Sequence, residues 1–487
     1  MGKLSKLKQN YILNLIVVIL ESTISLVATP FIARILESTG VGTYSYTYSL
    51  ITMFTLTGAL GTATHAQRQI AMHLDNKEEY SKIFWEVFFL RMIFIFISLL
   101  IFLATILLIN KDITYFIIQI PYFIAAIMDI SWLYQGLEQF KKIAWKDLIF
   151  KILGLTFVFI FVRTKEDLWK YLLILSLSML MGQCVLWLNL KKYVNYDIPL
   201  KTLNLKKHLK ETLIYFIPTI AYQFYSLIDK VLLGLLSTSE ETGYYEKAQQ
   251  IVSLCATIFN AYNVVIRSRI SYLFMKKEQK EIDEKTTNSI AFVFGLSLPM
   301  ALGIVGIANQ FVPWFLGDDF LKVSTLLMVL SPVIVIMALR MCIGSIIYTP
   351  FGLQSKSNIA EVIAAVINCI LTAILIPLLD SIGASIASIV SETIVLVMFV
   401  AYAQKHHYLR LGMILKHIYK YVVAAAIMFA SIMVINHYLT GPLCTVIQII
   451  TGVAIYFAML LILKDKIFYE NVKIVLSPKS KEEVTNE

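Results

Sequence analysis

The chain has 487 residues, of which 58% are hydrophobic and only 15% are charged, and its formal net charge is +10. Soluble domains are about 45–50% apolar and about 25% charged, so this chain has too little polar surface to cover a water-soluble globule of its size. A basic, apolar chain is either an unusual nucleic-acid-binding protein or a polytopic membrane protein, and the lengths of the apolar runs decide between them.

Apolar runs recur along the whole chain. A helix that crosses a bilayer needs roughly 20 mostly apolar residues, and fourteen runs are candidates. In chain order they are Tyr11–Ala33, Thr43–Thr64, Trp85–Ile109, Tyr115–Leu137, Leu148–Val162, Tyr171–Leu190, Leu213–Leu236, Gly243–Ile266, Ser289–Val312, Thr325–Ile347, Asn358–Leu379, Gly383–Ala403, Tyr421–Leu439 and Cys444–Leu463. The fifth is the weakest because it is short and contains Lys151. The sequence therefore predicts an all-α polytopic membrane protein with about fourteen transmembrane helices.

Basic residues concentrate in alternate connections between these runs. If the N-terminus is cytoplasmic, 31 of the 42 Lys and Arg residues fall in cytoplasmic segments and six fall in external ones. Cytoplasmic loops of membrane proteins carry such an excess of Lys and Arg. The pattern predicts an even number of spans with both termini in the cytoplasm, and it assigns most of the net charge to topology.

The two halves of the chain show weak internal similarity. The segment 36–44 after span 1 resembles 236–245 after span 7, because each is a polar connector ending in a Gly and a Tyr that opens the next helix. Gln135-Gly136-Leu137 and Phe351-Gly352-Leu353 form a second similar pair, and chance similarity is the alternative explanation. Two halves with even numbers of spans form a parallel repeat with a substrate site between them. We expect an N-terminal lobe of six spans (1–200), a C-terminal lobe of six spans (201–412), two extra spans (413–465) and a cytoplasmic tail (466–487).

The chain contains none of the motifs that carry catalysis or bind cofactors. A phosphate-binding G-x-x-x-x-G-K-[ST] loop and an H-E-x-x-H zinc motif are both absent from the sequence, and His406-His407 has no third ligand nearby. The five cysteines are scattered through different spans, which is typical of small apolar packing residues. We therefore expect no enzymatic activity, no cofactor and no metal ion.

Ionisable groups inside the spans are the most informative residues. Each costs roughly 2.5–3.5 kcal/mol at the centre of a membrane helix, so such groups normally face a bundle interior or a wet cavity. Pairing between helices and direct contact with a ligand remain open for each of them. The cations favour an anionic passenger. Polar stripes on spans 1, 7 and 8 together favour a polar lumen, whereas a single stripe would favour helix packing alone. The stripe on span 8 includes Gln249, Asn260 and Asn263, and Arg34 lies at the outer end of span 1. The ionisable residues inside the spans are Arg91, Lys151, Lys230, Lys247, Arg340, Glu21, Asp129, Asp229, Glu246, Glu361 and Glu392.

One segment of span 4 resembles a known family motif. Asp129-Ile130-Ser131-Trp132-Leu133-Tyr134-Gln135-Gly136-Leu137-Glu138-Gln139-Phe140 is similar to the fourth-span motif of bacterial polysaccharide-repeat-unit flippases of the Wzx type. The resemblance extends to Pro30…Arg34-Ile35-Leu36…Gly42-Thr43-Tyr44 and to Thr242-Gly243-Tyr244-Tyr245. It covers essentially the whole chain, and the overall pattern is shared by the wider multidrug/oligosaccharidyl-lipid/polysaccharide exporter superfamily.

The resemblance implies a flippase in the bacterial cytoplasmic membrane. Such proteins move an undecaprenyl-diphosphate-linked oligosaccharide to the external leaflet, where it is polymerised into capsule or O-antigen. The implied partners are the lipid-linked oligosaccharide, membrane lipids, and the polysaccharide polymerase and chain-length machinery, with no nucleic acid. Candidates for binding the diphosphate or lining the cavity are Arg34, Arg91, Lys230, Arg340, Asp129, Gln249, Asn260 and Asn263. Family relatives are thought to use ion gradients, so Asp229, Glu361 and Glu392 are candidates for an H⁺ or Na⁺ site.

Three other functions are compatible with the sequence. A multidrug and toxin extrusion antiporter predicts an acidic cavity with few cations, whereas the charges within the spans are of mixed sign. A lipid II flippase differs only in details of the motifs. A non-transporting scaffold for a glycan synthase is disfavoured by ionisable groups at many depths of the membrane.

Overall fold

A computed structural model describes residues 2–469 of the chain, so most of the predicted tail, 470–487, lies outside the description. Within 2–469, the description leaves out the side chains of residues 2–19, 21–22, 200, 214–215, 217–222, 224–226, 411 and 413. Every regular element in the described part is helical, which confirms the all-α prediction. The α-helices are α1 (Gly2–Ala59), α2 (Thr62–Met72), α3 (Lys77–Ile109), α4 (Ile113–Ile118), α5 (Pro121–Met128), α6 (Ser131–Gly136), α7 (Phe140–Phe161), α8 (Leu168–Trp187), α9 (Leu190–Tyr193), α10 (Leu205–Leu236), α11 (Ser239–Lys276), α12 (Gln279–Leu316), α13 (Leu321–Ile343), α14 (Gln354–Lys405), α15 (Leu411–Tyr438) and α16 (Gly441–Ile462). Short 3₁₀ turns at Lys165–Asp167, Leu200–Thr202 and Asp318–Phe320 and a π-helical turn at Gly344–Tyr348 complete the set.

The chain divides into two compact units, Met1–Gly243 and Tyr244–Glu487. Helices α1–α10 and the first turn of α11 belong to the first unit. The remainder of α11 and helices α12–α16 belong to the second unit. The lobe limits proposed from the sequence at 200 and 412 remain predictions.

Ten helical stretches within the described residues are long and apolar enough to cross a membrane. Two of them, in α1 and α14, each hold two predicted spans; α1 has 58 residues and would be about 85 Å long if straight, against about 30 Å of hydrocarbon. Non-helical backbone at Glu37 (φ 55°) and Asp380 (φ 51°) divides these two helices. Helices α7 and α10 cover the predicted spans 5 and 7, so all fourteen predicted spans fall on helices. The α7 segment is the more polar one because it contains Lys146, Asp147 and Lys151.

Buried aromatic side chains hold the helices of the first unit together. Phe84 on α3 and Trp132 on α6 are almost completely buried, and their ring centroids are 5.2 Å apart. The rings of Phe88 on α3 and Trp187 on α8 are 5.0 Å apart. Aromatic pairs at these distances add to the hydrophobic stabilisation that burial provides. The packing fixes α6, which carries the fourth-span motif, in contact with α3.

The last two helices pack on α12 within the second unit. A Cβ at Gly295 of α12 would lie 2.8 Å from the ring of Tyr421 on α15, so the absence of a side chain admits this ring. The hydroxyl of Tyr456 on α16 donates a hydrogen bond to the Gly295 carbonyl oxygen, and Trp314 Nε1 donates to Thr445 Oγ1 at 3.1 Å. The predicted spans 13 and 14 are therefore part of the core of this unit.

Two glycines allow α1 and α11 to touch. A Cβ at Gly42 would overlap the carbonyl oxygen of Ser239, and a Cβ at Gly243 would overlap the carbonyl oxygen of Ser38. Small residues are used in this way where membrane helices approach closely. Gly42 and Gly243 are the glycines of the two connectors that the internal similarity pairs, so the pattern has a packing role.

Replacing Gly243 with alanine is expected to lower the free energy of unfolding by about 1–3 kcal/mol, because an added methyl group overpacks a filled contact. Gly303→Ala is the matched control, since a Cβ at this position has no neighbour within 4 Å. Thermal unfolding of the purified protein in detergent measures both variants. Equal midpoints for the two variants would contradict close packing at Gly243.

Candidate functional site

A buried ion cluster surrounds Arg340 in the second unit. Arg340 lies near the end of α13 and is 9% exposed. Its Nε donates a hydrogen bond to Glu392 Oε2 at 2.7 Å, and its Nη1 is 3.7 Å from Glu361 Oε1. A hydrogen-bonded guanidinium–carboxylate contact is among the strongest polar contacts in proteins. Two carboxylates thus face one guanidinium, and the cluster has one more negative than positive group.

The bend in α14 brings the two carboxylates of this cluster together. Glu361 lies before the bend at Asp380 and Glu392 lies after it. In a straight helix they would be about 46 Å apart, yet both reach Arg340. The two arms of α14 touch, because a Cβ at Gly383 would overlap the carbonyl oxygen of Leu375. The ion cluster therefore depends on this helical hairpin.

A polar cavity of about 280 Å³ lies beside the cluster. Arg340 and Glu361 line it, whereas Glu392 is buried and lies outside the lining. The π-helical turn Gly344–Tyr348 forms part of the wall, and turns of this kind are frequent at functional sites. Further polar lining comes from Asn260, Asn263, Arg267, Ser345, Thr349, Gln354 and Ser357.

Asn263 is an unsatisfied polar group at this cavity. It is 4% exposed, and neither atom of its side-chain amide has a hydrogen-bond partner among the described residues. A buried amide without a partner costs about 1–3 kcal/mol. A ligand in the cavity that offers both a donor and an acceptor, as a sugar hydroxyl does, would satisfy it.

Several lining residues of the cavity were not predicted from the sequence, because the helices that carry them extend beyond the predicted spans. Span 8 was predicted to end at Ile266, but α11 continues to Lys276. This extension puts Arg267 on the same helical face as Asn260 and Asn263, at spacings of seven and four residues. The i, i+3, i+7 spacing of these three residues is the signal that would have included Arg267.

A second buried ion pair lies in the first unit. Arg91 on α3 contacts Asp129 through Nη2 at 3.2 Å. Its Nε donates to the Ala126 carbonyl oxygen at 2.9 Å and its Nη1 donates to Thr62 Oγ1 at 3.4 Å. The guanidinium therefore binds groups of α2 and the α5–α6 region simultaneously, which is the arrangement of a residue that positions helices.

Several residues of the fourth-span motif form the junction between α5 and α6. The backbone leaves the helical conformation at Asp129, between α5 and α6. Asp129 Oδ1 accepts a hydrogen bond from the Ser131 N–H at 3.0 Å, and the Asp129 carbonyl accepts one from Trp132 Nε1 at 3.0 Å. A Cβ at Gly136 would lie 2.9 Å from Ile70, so this glycine allows α6 to contact α2. The motif thus specifies a broken helix and its packing.

Equivalent tyrosines anchor this helix and its counterpart in the second unit. Tyr134 donates a hydrogen bond through its hydroxyl to the Leu186 carbonyl oxygen at 2.6 Å. Tyr348 makes the same contact with the Phe399 carbonyl oxygen at 3.2 Å. Both acceptors belong to the second following predicted span, so the two contacts correspond in sequence; the internal repeat stays a prediction.

The turns after these tyrosines also correspond. Glu138 and Gly352 both have positive φ, 58° and 69°, and the next N–H in each turn donates to the carbonyl of the tyrosine, at 2.7 and 2.8 Å. These are the bonds of a helix-ending Schellman turn. The sequence similarity between the two fragments aligns Gly136 with Gly352. The two turns instead align Glu138, two residues later, with Gly352, because these are the residues with positive φ.

The remaining predicted site residues are distributed over other helices. Arg34 is exposed on α1, just before the bend at Glu37. Asp229 is buried and Lys230 is half-buried on α10, and Gln249 is half-buried on α11. Of the described residues that line the cavity in the second unit, none is among these four. The structure therefore brings together Arg340, Glu361, Glu392, Asn260 and Asn263, and separately Arg91 and Asp129.

The fold defines a multi-pass helical membrane protein. The structure is similar to that of the lipid II flippase MurJ in an inward closed conformation, with a TM-score of 0.70 and 16% identity over 95% of this chain and 99% of that one. It is also similar to an inward-facing multidrug resistance MATE family transporter of the MOP superfamily, with a TM-score of 0.62 and 14% identity over 79% of this chain and 94% of that one. At 14–16% sequence identity, the structural similarity establishes the fold alone.

The family is shown by the sequence comparisons. Residues 7–273, more than half of the chain, match the family described as "Polysaccharide biosynthesis protein", and the chain belongs to this family. A relative from Escherichia coli (strain K12), described as "Putative O-antigen transporter", is 23% identical over 377 residues, which are 76% of this chain and 90% of that protein. The resemblance to Wzx-type flippases of the wider exporter superfamily is thereby confirmed.

Proposed function

We propose that the protein translocates undecaprenyl-diphosphate-linked oligosaccharide repeat units from the cytoplasmic to the outer leaflet of a bacterial cytoplasmic membrane. Membership of the polysaccharide biosynthesis family supports the substrate class. The similarity to a flippase structure over 95% of the chain supports the mode of action. The excess of Lys and Arg in alternate connections supports cytoplasmic termini.

The observation that carries the proposal is the Arg340 cluster beside its polar cavity. A diphosphate needs a cationic partner to leave water, and Arg forms bidentate contacts with phosphate. A cavity of about 280 Å³ is near the lower limit for small ligands, so it suits part of the head group and not a whole repeat unit. Asn263 and Asn260 supply hydrogen-bonding groups for a sugar. We assign Arg340 to the diphosphate and Arg91 to positioning.

The same cluster offers a route to ion coupling. Glu361 and Glu392 compete with a phosphate for Arg340, since all three are anions. A proton or Na⁺ bound by the carboxylates frees the guanidinium, so the binding of this cation and the binding of the diphosphate favour each other. Asp229 stays a candidate for a second coupling site.

Transport of this kind moves its substrate intact, so we propose no enzymatic step, catalytic residue or cofactor. The two lobes, 1–200 and 201–412, would alternate in their opening, with 413–465 contributing the extra helices. Polymerase and chain-length proteins would act on the delivered units. The product would be capsule or another surface polysaccharide.

Deletion of the gene in the source bacterium tests the proposal. We expect lipid-linked oligosaccharide to accumulate in the cytoplasmic leaflet and surface polysaccharide to be lost, with both restored by the wild-type gene. Normal surface polysaccharide in the deletion strain would overturn the proposal.

A second candidate function is export of a cationic drug. Glu361 in the cavity lining is an anionic contact for such a passenger, and the fold is shared with a multidrug transporter, whereas Arg267 and Arg340 in the same lining favour an anionic passenger. Drug hypersensitivity with normal surface polysaccharide in the deletion strain would support this function.

A further inference from the structure

Two buried histidines form a hydrogen-bonded chain with two carboxylates at the ends of α2, α3 and α10. His65 Nε2 is 2.8 Å from His208 Nδ1, and His208 Nε2 is 2.7 Å from Glu86 Oε2. His65 Nδ1 is 3.3 Å from Glu211 Oε2. Glu86, His65 and His208 are each at most 3% exposed, whereas the Glu211 side chain is half exposed. The chain of contacts therefore runs from a buried carboxylate to water.

Counting protons shows that two neutral rings cannot supply a hydrogen to all three contacts of this chain. Each of the three contacts needs one hydrogen, and two neutral imidazoles supply only two N–H groups. Saturating all three contacts, with both carboxylates ionised, takes one additional proton shared by the two rings. Glu86 lies directly against His208, and it also accepts the Asn204 N–H at 2.7 Å. The saturated state therefore has an imidazolium at His208 and a neutral ring at His65.

The surroundings keep His65 neutral. Burial lowers the pKa of His65 to about 4; His208 and the cations Arg68 and Lys207 act in the same direction, and Glu211 acts against them. No group of three or more His, Cys, Asp or Glu side chains among the described residues is arranged to hold a metal ion.

We propose that Glu86, His208, His65 and Glu211 form a proton-binding and proton-transfer site. The His208 Nδ1 proton passes to His65 Nε2 while the His65 Nδ1 proton passes to Glu211, which releases it to water. His208 is left neutral with its Nε2–H on Glu86, and His65 is left neutral with its proton on Nε2. The reverse sequence reloads the site without a ring flip, and only protons move.

The site joins three helices, so the presence or absence of the shared proton changes the strength of the contacts between them. His208 on α10 bonds to Glu86 on α3 and to His65 on α2. Removing the shared proton leaves one of the three contacts without a hydrogen. All four residues lie at or near the segments 65–84 and 191–212, which the sequence predicts to be cytoplasmic. A role of this site in driving transport rests on the proposed function, whereas its binding of a proton does not.

Nitrogen-15 NMR of ring-labelled histidine in the purified, membrane-reconstituted wild-type protein tests proton binding. Between about pH 5 and about pH 8, the range in which histidine titrates, we expect one imidazolium signal, coupled through its hydrogen bond to a neutral ring. The coupling between the two rings should disappear in both His65→Gln and His208→Gln, and the imidazolium signal should disappear in His208→Gln. Both should persist in the control His407→Gln, which alters an exposed histidine. Two neutral rings throughout this range would overturn the proposal, and this result needs only the wild-type protein.

Glycan translocation by the same proteoliposomes tests the role in transport. We expect an imposed proton gradient to accelerate the wild-type protein and His407→Gln, and His208→Gln to lose this acceleration. Retained acceleration in His208→Gln would overturn that role. If the wild-type protein translocates no glycan but shows the shared proton, the proposed function fails and the proton site stands.

Discussion

Replacing Arg340 with glutamine is expected to reduce glycan export at least about 100-fold. The substitution removes the guanidinium assigned to the diphosphate and leaves Glu361 and Glu392 without their cation. Breaking a buried ion pair on one side typically costs about 3–5 kcal/mol, so thermal stability should fall as well. Export of lipid-linked oligosaccharide in the complemented deletion strain and thermal unfolding of the purified protein measure the two effects.

A double variant separates binding from folding at this cluster. Arg340→Gln with Glu392→Gln removes both charges of the tightest contact, so stability should largely recover while export stays low. Arg269→Gln is the matched control, because Arg269 forms an ion pair with Glu281 at 2.9 Å and the two side chains are 40% and 32% exposed. Exposed pairs contribute about 0–1 kcal/mol, so this variant should resemble the wild type. Wild-type export by the double variant would show that Arg340 has a structural role only.

For the Arg91–Asp129 pair, we expect a loss of stability and of export in the single variant, and recovery of both in the double variant. Arg91→Gln should lower stability by about 3–5 kcal/mol, because it leaves the Asp129 carboxylate uncompensated in a buried junction. Adding Asp129→Asn should restore most of the stability and most of the export, since all the contacts of Arg91 described above are with other parts of the first unit. Thermal unfolding and export of lipid-linked oligosaccharide measure both variants.

Lys165→Gln provides the control for this pair. Lys165 lies 3.8 Å from Glu37 in an exposed ion pair, so its loss should leave stability and export unchanged. If the double variant at Arg91 and Asp129 folds like the wild type but fails to export, Arg91 contacts the substrate and its positioning role is wrong.

The membrane fold could be predicted from the sequence because hydropathy and length determine it directly. Every predicted span lies on helical segments, and the lengths of the apolar runs exclude the alternative of a nucleic-acid-binding protein. Non-helical backbone at Glu37 and Asp380 divides α1 and α14, and each of these two elements accounts for two of the predicted apolar runs. The break at Asp129 has the opposite effect, since it divides one predicted span into short helices.

The candidate site was only partly predictable. An ionisable group in a span signals a function or a partner. This reasoning named Arg340 as a diphosphate candidate and Glu361 and Glu392 as ion-coupling candidates, and the structure places all three in one ion cluster. Which residues meet depends on the hairpin within α14, which periodicity does not encode. Arg267 was assigned to a loop because the predicted end of its helix came too early. His65 and His208 were overlooked because each is a single histidine in a predicted loop, 143 residues from the other.

Reconstitution tests the central claim most directly. The purified protein in liposomes is supplied with fluorescent undecaprenyl-diphosphate-linked oligosaccharide in one leaflet, and arrival in the other leaflet is followed by loss of signal to an impermeant quencher. We predict that the wild-type protein moves the lipid far faster than empty liposomes do, and that the double variant Arg340→Gln with Glu392→Gln does not. Equal rates for the wild-type protein and empty liposomes, in the presence of proton and sodium gradients, would contradict the assignment as a flippase of lipid-linked oligosaccharides.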